Sequence, residues 1–238
     1  MELVPLRITA GDGDPPRLTA GWLACTHSRL ADCEPARLVL LEGGDDAFCA
    51  GLDLESPPSD WAATLASFGD VLDRFDELAC PVIAVVEGAA IGGGVGLAAA
   101  ADVVIASPDA TFGLPETLLG LIPAVVYPFL ERRIGPAAAR RLAIGAPALT
   151  AHDAHRLGLV DELVEDTAGA TARLAARFAR LDHRAVAAAK RLGTPCREDR
   201  RAHRDAAIAS FARLAATDET MARLRRFAAG ESPWDTDE

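Results

Sequence analysis

An α/β fold around a parallel sheet, followed by a mainly helical C-terminal portion, is predicted for this 238-residue chain. Three observations predict it. Short, almost wholly apolar runs, residues 81–86 above all, read as strands covered on both faces, as a parallel sheet requires. Stretches with helical apolar spacing alternate with them, which is the pattern of crossover units. Half of the residues are hydrophobic and only 5% aromatic, a balance that favours a helix-rich globular chain over a disordered one.

A first strand is expected over residues 3–8. Residues 18–30 carry helical spacing, with Leu18, Trp22, Leu23 and Leu30 as apolar anchors. Residues 37–41 form a compact strand closed by Gly43, Gly44, Asp45 and Asp46. After a polar break at 56–60, Asp60 is placed to cap a helix over 61–78. The strand at 81–86 leads through glycines into a small-residue helix reaching Ala101, and 103–106 supplies another strand. From Tyr127 onward the pattern is mainly helical. Gly135 and Pro136 open one helix, and Thr150 or Asp153 opens another that ends near Gly158. Further helices are expected over 168–180, 184–192 and 199–229, before an acidic tail from Glu231.

The balance of 24 basic and 35 acidic residues, a formal charge of −11, disfavours nucleic acid or an anionic membrane as the main partner. No basic-then-apolar leader opens the sequence, and no apolar run approaches the length of a membrane span. Cys25, Cys33, Cys49, Cys80 and Cys196 are scattered and odd in number, so a reduced, cytoplasmic protein is expected.

Two glycine-bearing segments carry the chemistry, residues 47–54 (AFCAGLDL) and 87–96 (EGAAIGGGVG). Each follows a buried strand, so each brings unhindered backbone N–H groups to the end of a sheet. Two such donors about 2.7–3.1 Å from a developing negative charge make an oxyanion hole, and a following helix N-terminus adds partial positive charge. Glycines at such junctions also serve simply as tight turns. A dinucleotide site is the other rival, since residues 94–99 fit a loose GxGxxA, but that fingerprint belongs to a first βα unit and is followed by an acidic strand end. Asp53 and Asp102 read as residues that hold loops or helix ends. Cys49 has no histidine near it in sequence to activate it and reads as a packing group. His152 and His155 lack a third ligand, so no metal is expected, and His27, His183 and His203 give no site signal.

Segments 48–54 (FCAGLDL), 81–94 (PVIAVVEGAAIGGG), 101–106 (ADVVIA), 112–116 (FGLPE) and 154–161 (AHRLGLVD) resemble, in this order, the crotonase (enoyl-CoA hydratase/isomerase) superfamily. The resemblance implies a ββα spiral core over 1–165, a helical C-terminal region over 166–238 involved in oligomerisation, and assembly as trimers or paired trimers. It implies an acyl-thioester substrate, with coenzyme A or phosphopantetheine entering as part of that substrate and no separate cofactor. It makes Leu52 and Gly93 the oxyanion donors and Glu116 the catalytic carboxylate, with Cys49, Ala50, Gly51, Asp53, Gly92 and Gly96 around the substrate. Hydratases of the family carry a second glutamate where this chain has Gly96, which moves no proton. The N-terminal region is shorter than usual and lacks the family's Asn-Ala-Leu segment, which weakens ordinary CoA recognition. Residues 119–135 and 230–235 are similar to hydratase-like enzymes of polyketide biosynthesis, which act on acyl carrier proteins, although those carry Lys and Asn where this chain has Ala89 and Ile91. The implied function is hydration or dehydration of an acyl thioester. The alternatives are double-bond isomerisation, decarboxylation, or a catalytically weak thioester-binding partner subunit.

Overall fold

A computed structural model of the protein describes residues 6–31, 38–44, 47–55, 58–192 and 197–233. Its centre is a five-stranded, all-parallel sheet of β1 (Leu6–Thr9), β2 (Val39–Glu42), β4 (Val82–Val86), β6 (Val103–Ala106) and β9 (Glu162–Leu163), in that spatial order. Beside it lies a smaller sheet of β3 (Ala47–Cys49), β5 (Ala89–Ile91), β7 (Thr111–Gly113) and β8 (Leu149–Thr150), of which only the β7–β8 pairing is antiparallel. The three central strands are each followed by a short one in the second sheet: β2 by β3, β4 by β5, β6 by β7. The chain therefore advances as a spiral of ββα turns.

β4 and β6 are apolar throughout, and β2 as far as Glu42, because both faces are covered. Val39, Leu41, Val82, Ala84, Val86 and Val104 face the main core, while Leu40, Ile83, Val85 and Ile105 pack under α7 (Thr167–Phe178) through Ala170 and Leu174. Carboxylates pin the strand starts: Asp102 accepts the Val82 N–H at 2.7 Å and pairs with Lys190 at 2.6 Å, and Asp161 accepts the Val104 N–H at 2.7 Å and pairs with Arg133. The structural role expected of Asp102 is the one it has.

Several boundaries differ from expectation for identifiable reasons. Leu18 lies outside α1 (Ala20–Ala31), because its backbone is used in a bridge to Leu52. Helix α2 runs Pro58–Glu77, so Asp60 sits in the first turn rather than capping it. The small-residue helix is α3 (Gly93–Ala100), and α4 (Tyr127–Ile134), α5 (Pro136–Gly145) and α6 (Ala151–Arg156) follow, the last capped by the Thr150 hydroxyl on the Asp153 N–H. Beyond α8 (His183–Leu192), the single helix expected over 199–229 is two, α9 (Arg197–Ala215) and α10 (Asp218–Ala228). Thr217 breaks it, its hydroxyl accepting the Thr220 N–H at 3.3 Å as an N-cap. The expected strand residues 3–5 and Arg37, the loop at Asp45 and Asp46, part of the 56–60 break, Cys33, Cys196 and the tail from Trp234 lie outside the described residues.

Helix α9 returns to the core and is fastened to α2. Arg204 pairs with Asp73 at 2.9 Å and Asp70 at 2.8 Å, and Arg200 pairs with Asp73 at 3.0 Å and Asp76 at 2.8 Å. Gly69 leaves the room: a Cβ there would overlap the Arg204 side chain. Farther along, Trp61 and Phe211 meet edge to face at 6.3 Å, inside an apolar cluster with Leu119, Leu121 and Leu224. Removing Arg204 would leave the buried Asp73 with Arg200 alone, and a buried charge that loses a partner is costly. Arg204→Ala is thus expected to lower stability by about 3 kcal/mol, read as a shift of the urea midpoint at unchanged m-value.

Candidate active site

The first glycine segment leaves β3 and is held in place by the chain around Leu18. Ala50 N–H donates to the Pro16 carbonyl at 2.8 Å, Leu18 N–H to Gly51 at 2.8 Å, and Asp53 N–H to Leu18 at 3.3 Å. In a parallel bridge of this kind the flanking residues make the bonds, so the N–H of Leu52 points away from Leu18. Gly51 makes the turn possible: its φ is +88°, and a Cβ would stand 2.9 Å from the Ile91 carbonyl oxygen and 3.5 Å from the Gly93 nitrogen. The two glycine segments therefore touch at Gly51.

The second segment leaves β5 through Gly92, whose φ is +53° and whose N–H donates to the Gly113 carbonyl at 2.8 Å. Gly93 then begins α3, where helix geometry leaves the first N–H groups without an intrahelical acceptor. Among the described residues, neither the Leu52 nor the Gly93 N–H has a backbone acceptor. Both residues line one cavity of about 100 Å³.

Glu116 enters that cavity from a 3-10 turn, Pro115–Thr117, just after β7. One carboxylate oxygen, Oε1, lies 3.1 Å from where a Cβ on Gly92 would be, so the carboxylate sits directly over Gly92. The other, Oε2, is buried without a hydrogen-bond partner among the described residues. Burial pushes the carboxyl up from 4.5 to about 7, against a smaller opposing bond to its own backbone N–H. A carboxyl poised there gives and takes a proton with little driving force either way.

Leu52, Gly93, Glu116, Ala50, Gly51 and Gly92 are thus brought together around one space. Three residues assigned to substrate binding do not line it. Cys49 is fully buried against α3, where its carbonyl oxygen lies 2.5 Å from the Cβ position of Gly94, and burial drives its thiol up to about 12. Asp53 turns back to accept the Glu55 N–H at 3.1 Å. Gly96 lies behind the wall: a Cβ on it would stand 2.9 Å from Val126 Cγ2 and 3.4 Å from Phe68 Cζ. Val126 and Phe68 fill the direction in which a side chain at position 96 would project.

Sequence reasoning missed Leu18, Phe68, Phe211 and Phe227, all of which line the cavity. Leu18 and Phe68 look like ordinary helical core positions. Phe211 and Phe227 arrive from α9 and α10, about a hundred residues from Glu116 in sequence, and no local pattern marks them. Among the described residues no three His, Cys, Asp or Glu side chains converge as metal ligands, and no helix is long and apolar enough to cross a membrane.

The sequence and the fold both have relatives among known proteins. The profile of the Enoyl-CoA hydratase/isomerase family matches residues 26–235. A carnitinyl-CoA dehydratase of Proteus mirabilis is 36% identical over 149 residues, covering 58% of this chain and 55% of that protein. A 1,2-epoxyphenylacetyl-CoA isomerase of Escherichia coli is 35% identical over 168 residues, covering 63% of this chain and 64% of that protein. The chain thus spans about half the length of the first of these relatives. The crystal structure of an enoyl-CoA hydratase from Mycobacterium avium superposes with a TM-score of 0.83 at 26% identity, covering 92% of this chain and 88% of that one.

Proposed function

The chain belongs to the enoyl-CoA hydratase/isomerase family, and from that premise we propose that it adds water to, or removes it from, the α,β bond of an acyl thioester. The observation that supports this is the buried carboxylate of Glu116 over Gly92, its Oε2 without a hydrogen-bond partner among the described residues, beside two N–H groups that have no backbone acceptor there. The thioester carbonyl oxygen sits between the N–H groups of Leu52 and Gly93, at the positive end of α3. Charge gathered there as an enolate lowers the barrier to proton movement at the neighbouring carbon. Glu116 moves that proton. The thioester arm, coenzyme A or the phosphopantetheine of a carrier protein, is part of the substrate, and no other cofactor takes part. Cys25, Cys49 and Cys80 are free thiols, which fits action in the reducing cytoplasm. Assembly as trimers or paired trimers is part of the same reading, with light scattering as its check.

Incubation with crotonyl and 3-hydroxybutanoyl thioesters of CoA and of pantetheine tests the reaction. Interconversion, followed by the mass change of one water, is expected; no change with either arm would sink the assignment.

A specific observation favours double-bond isomerisation as the second reading. The direction of residue 96 is closed by Val126 and Phe68, so Glu116 is the lone acid among the described residues lining the cavity. Shuttling one proton between two carbons needs a single carboxylate and no positioned water. A 3-butenoyl thioester isomerised faster than crotonyl thioester is hydrated would decide for it. Gly96→Glu alone is not expected to raise hydration, since its Cβ meets Val126 Cγ2 at 2.9 Å. Overpacking of this kind lowers stability by about 1–3 kcal/mol, read as a lower melting temperature with no gain in hydration rate.

A further inference from the structure

Resting on the thioester chemistry proposed above, we infer that the acyl group this chain accepts is short, apolar and uncharged, and that Val126 and Phe68 set that limit. Size comes first. The cavity measures about 100 Å³, whereas an apolar cavity of ~150 Å³ is filled by a benzene ring of six carbons. By the same measure about four carbons in all, the thioester carbonyl carbon among them, fit within it. One wall is where position 96 would project, and Val126 Cγ2 and the edge of the Phe68 ring, whose Cε1 also stands 3.4 Å from the Cβ position of Gly93, occupy it. Both are nearly inaccessible, at 4% and 1% exposure, and the phenyl ring is fixed within the main core.

Charge comes second. Leu18, Leu65, Leu121 and Phe211 complete walls on which Glu116 is the only ionisable side chain among the described residues. Arg17, next to Leu18 in sequence, pairs with Glu55 at 2.7 Å, and Arg223, beside Gly120, pairs with Glu219 at 2.5 Å. A second carboxylate on the acyl chain would enter an apolar space without a cation to pair it, which disfavours its binding.

Calorimetric binding of unreactive saturated pantetheine thioesters tests this apart from turnover. Butanoyl is expected to bind at least about 10-fold more tightly than octanoyl, and pentanoyl about 10³-fold more tightly than glutaryl, its carboxylate-bearing counterpart. Val126→Ala removes two methyl carbons from the wall toward position 96 and is expected to narrow the octanoyl-to-butanoyl gap about 10-fold. Phe68→Leu is a second variant with the same expected direction. These ratios do not depend on the fraction of protein folded. Glutaryl bound as tightly as pentanoyl, or a gap unmoved in both variants, would overturn the inference. The preference persisting with no turnover of the unsaturated or 3-hydroxy counterparts would instead overturn the proposed reaction alone.

Discussion

Glu116→Gln is expected to lower turnover by about 10²–10⁴-fold while leaving saturated thioesters bound as before. The amide keeps the shape of the carboxyl and its place over Gly92 but moves no proton. A second readout separates this from a merely structural role. Burial raises the folded-state pKa from 4.5 to about 7, so the folded chain holds its proton where the unfolded chain has released it. Between pH 4.5 and 7 the unfolded state binds fewer protons, and stability therefore falls as pH rises through that window. The fall amounts to at most about 3 kcal/mol, less whatever solvent screening removes. In Glu116→Gln this part of the pH dependence disappears, and the variant at pH 8 is more stable than the parent. Urea unfolding at pH 5 and pH 8 checks it; equal pH slopes in the two proteins would remove Glu116 from the buried site.

Gly51→Ala is expected to damage both fold and chemistry. Its φ of +88° is strained for any L side chain, and the added methyl would stand 2.9 Å from the Ile91 carbonyl oxygen. Backbone strain of this sort costs about 1–3 kcal/mol. Relief requires the first segment to move away from the second, which displaces the Leu52 N–H. Losing one oxyanion donor lowers turnover by about 10²–10³-fold. Gly158→Ala is the control, because Gly158 has a φ of +81° but nothing within 4 Å of its Cβ position. It shares the strain and not the collision, so its turnover should stay near the parent value. Equal turnover in the two variants would count against Leu52 as a donor.

What could be read from the sequence follows burial. Residues 82–86 are legible as a strand because both faces are covered and every position is apolar. The second sheet is not legible: β3, β5 and β7 are three residues each, too short for any period to emerge. The break at Thr217 is hidden because α9 and α10 are both helical and a single capping hydroxyl divides them. In the site, Leu52, Gly93 and Glu116 are named by the resemblance to the crotonase family that segments 48–54, 81–94 and 112–116 carry, while the glycines alone also fit tight turns. Phe211 and Phe227 were out of reach, since only the folding of α9 onto α2 carries them to the cavity. Cys49 shares a segment with the site residues, yet its side chain faces α3, and composition alone does not tell one side of a three-residue strand from the other.

The small sheet orders β3, β5 and β7 side by side, and Leu52, Gly93 and Glu116 each follow one of them in turn. Adjacent strands stand about 4.8 Å apart, so the spacing of these three groups is inherited from main-chain hydrogen bonds and not from the identity of any side chain. Such a framework separates what must be kept from what is free to change. On the proposed reading, an acid can be absent at one position, as glycine stands at 96, and a wall built from valine and phenylalanine, without redrawing the place where a carbonyl oxygen would be received. New reactions then arise by editing a few side chains around a fixed electrophile seat.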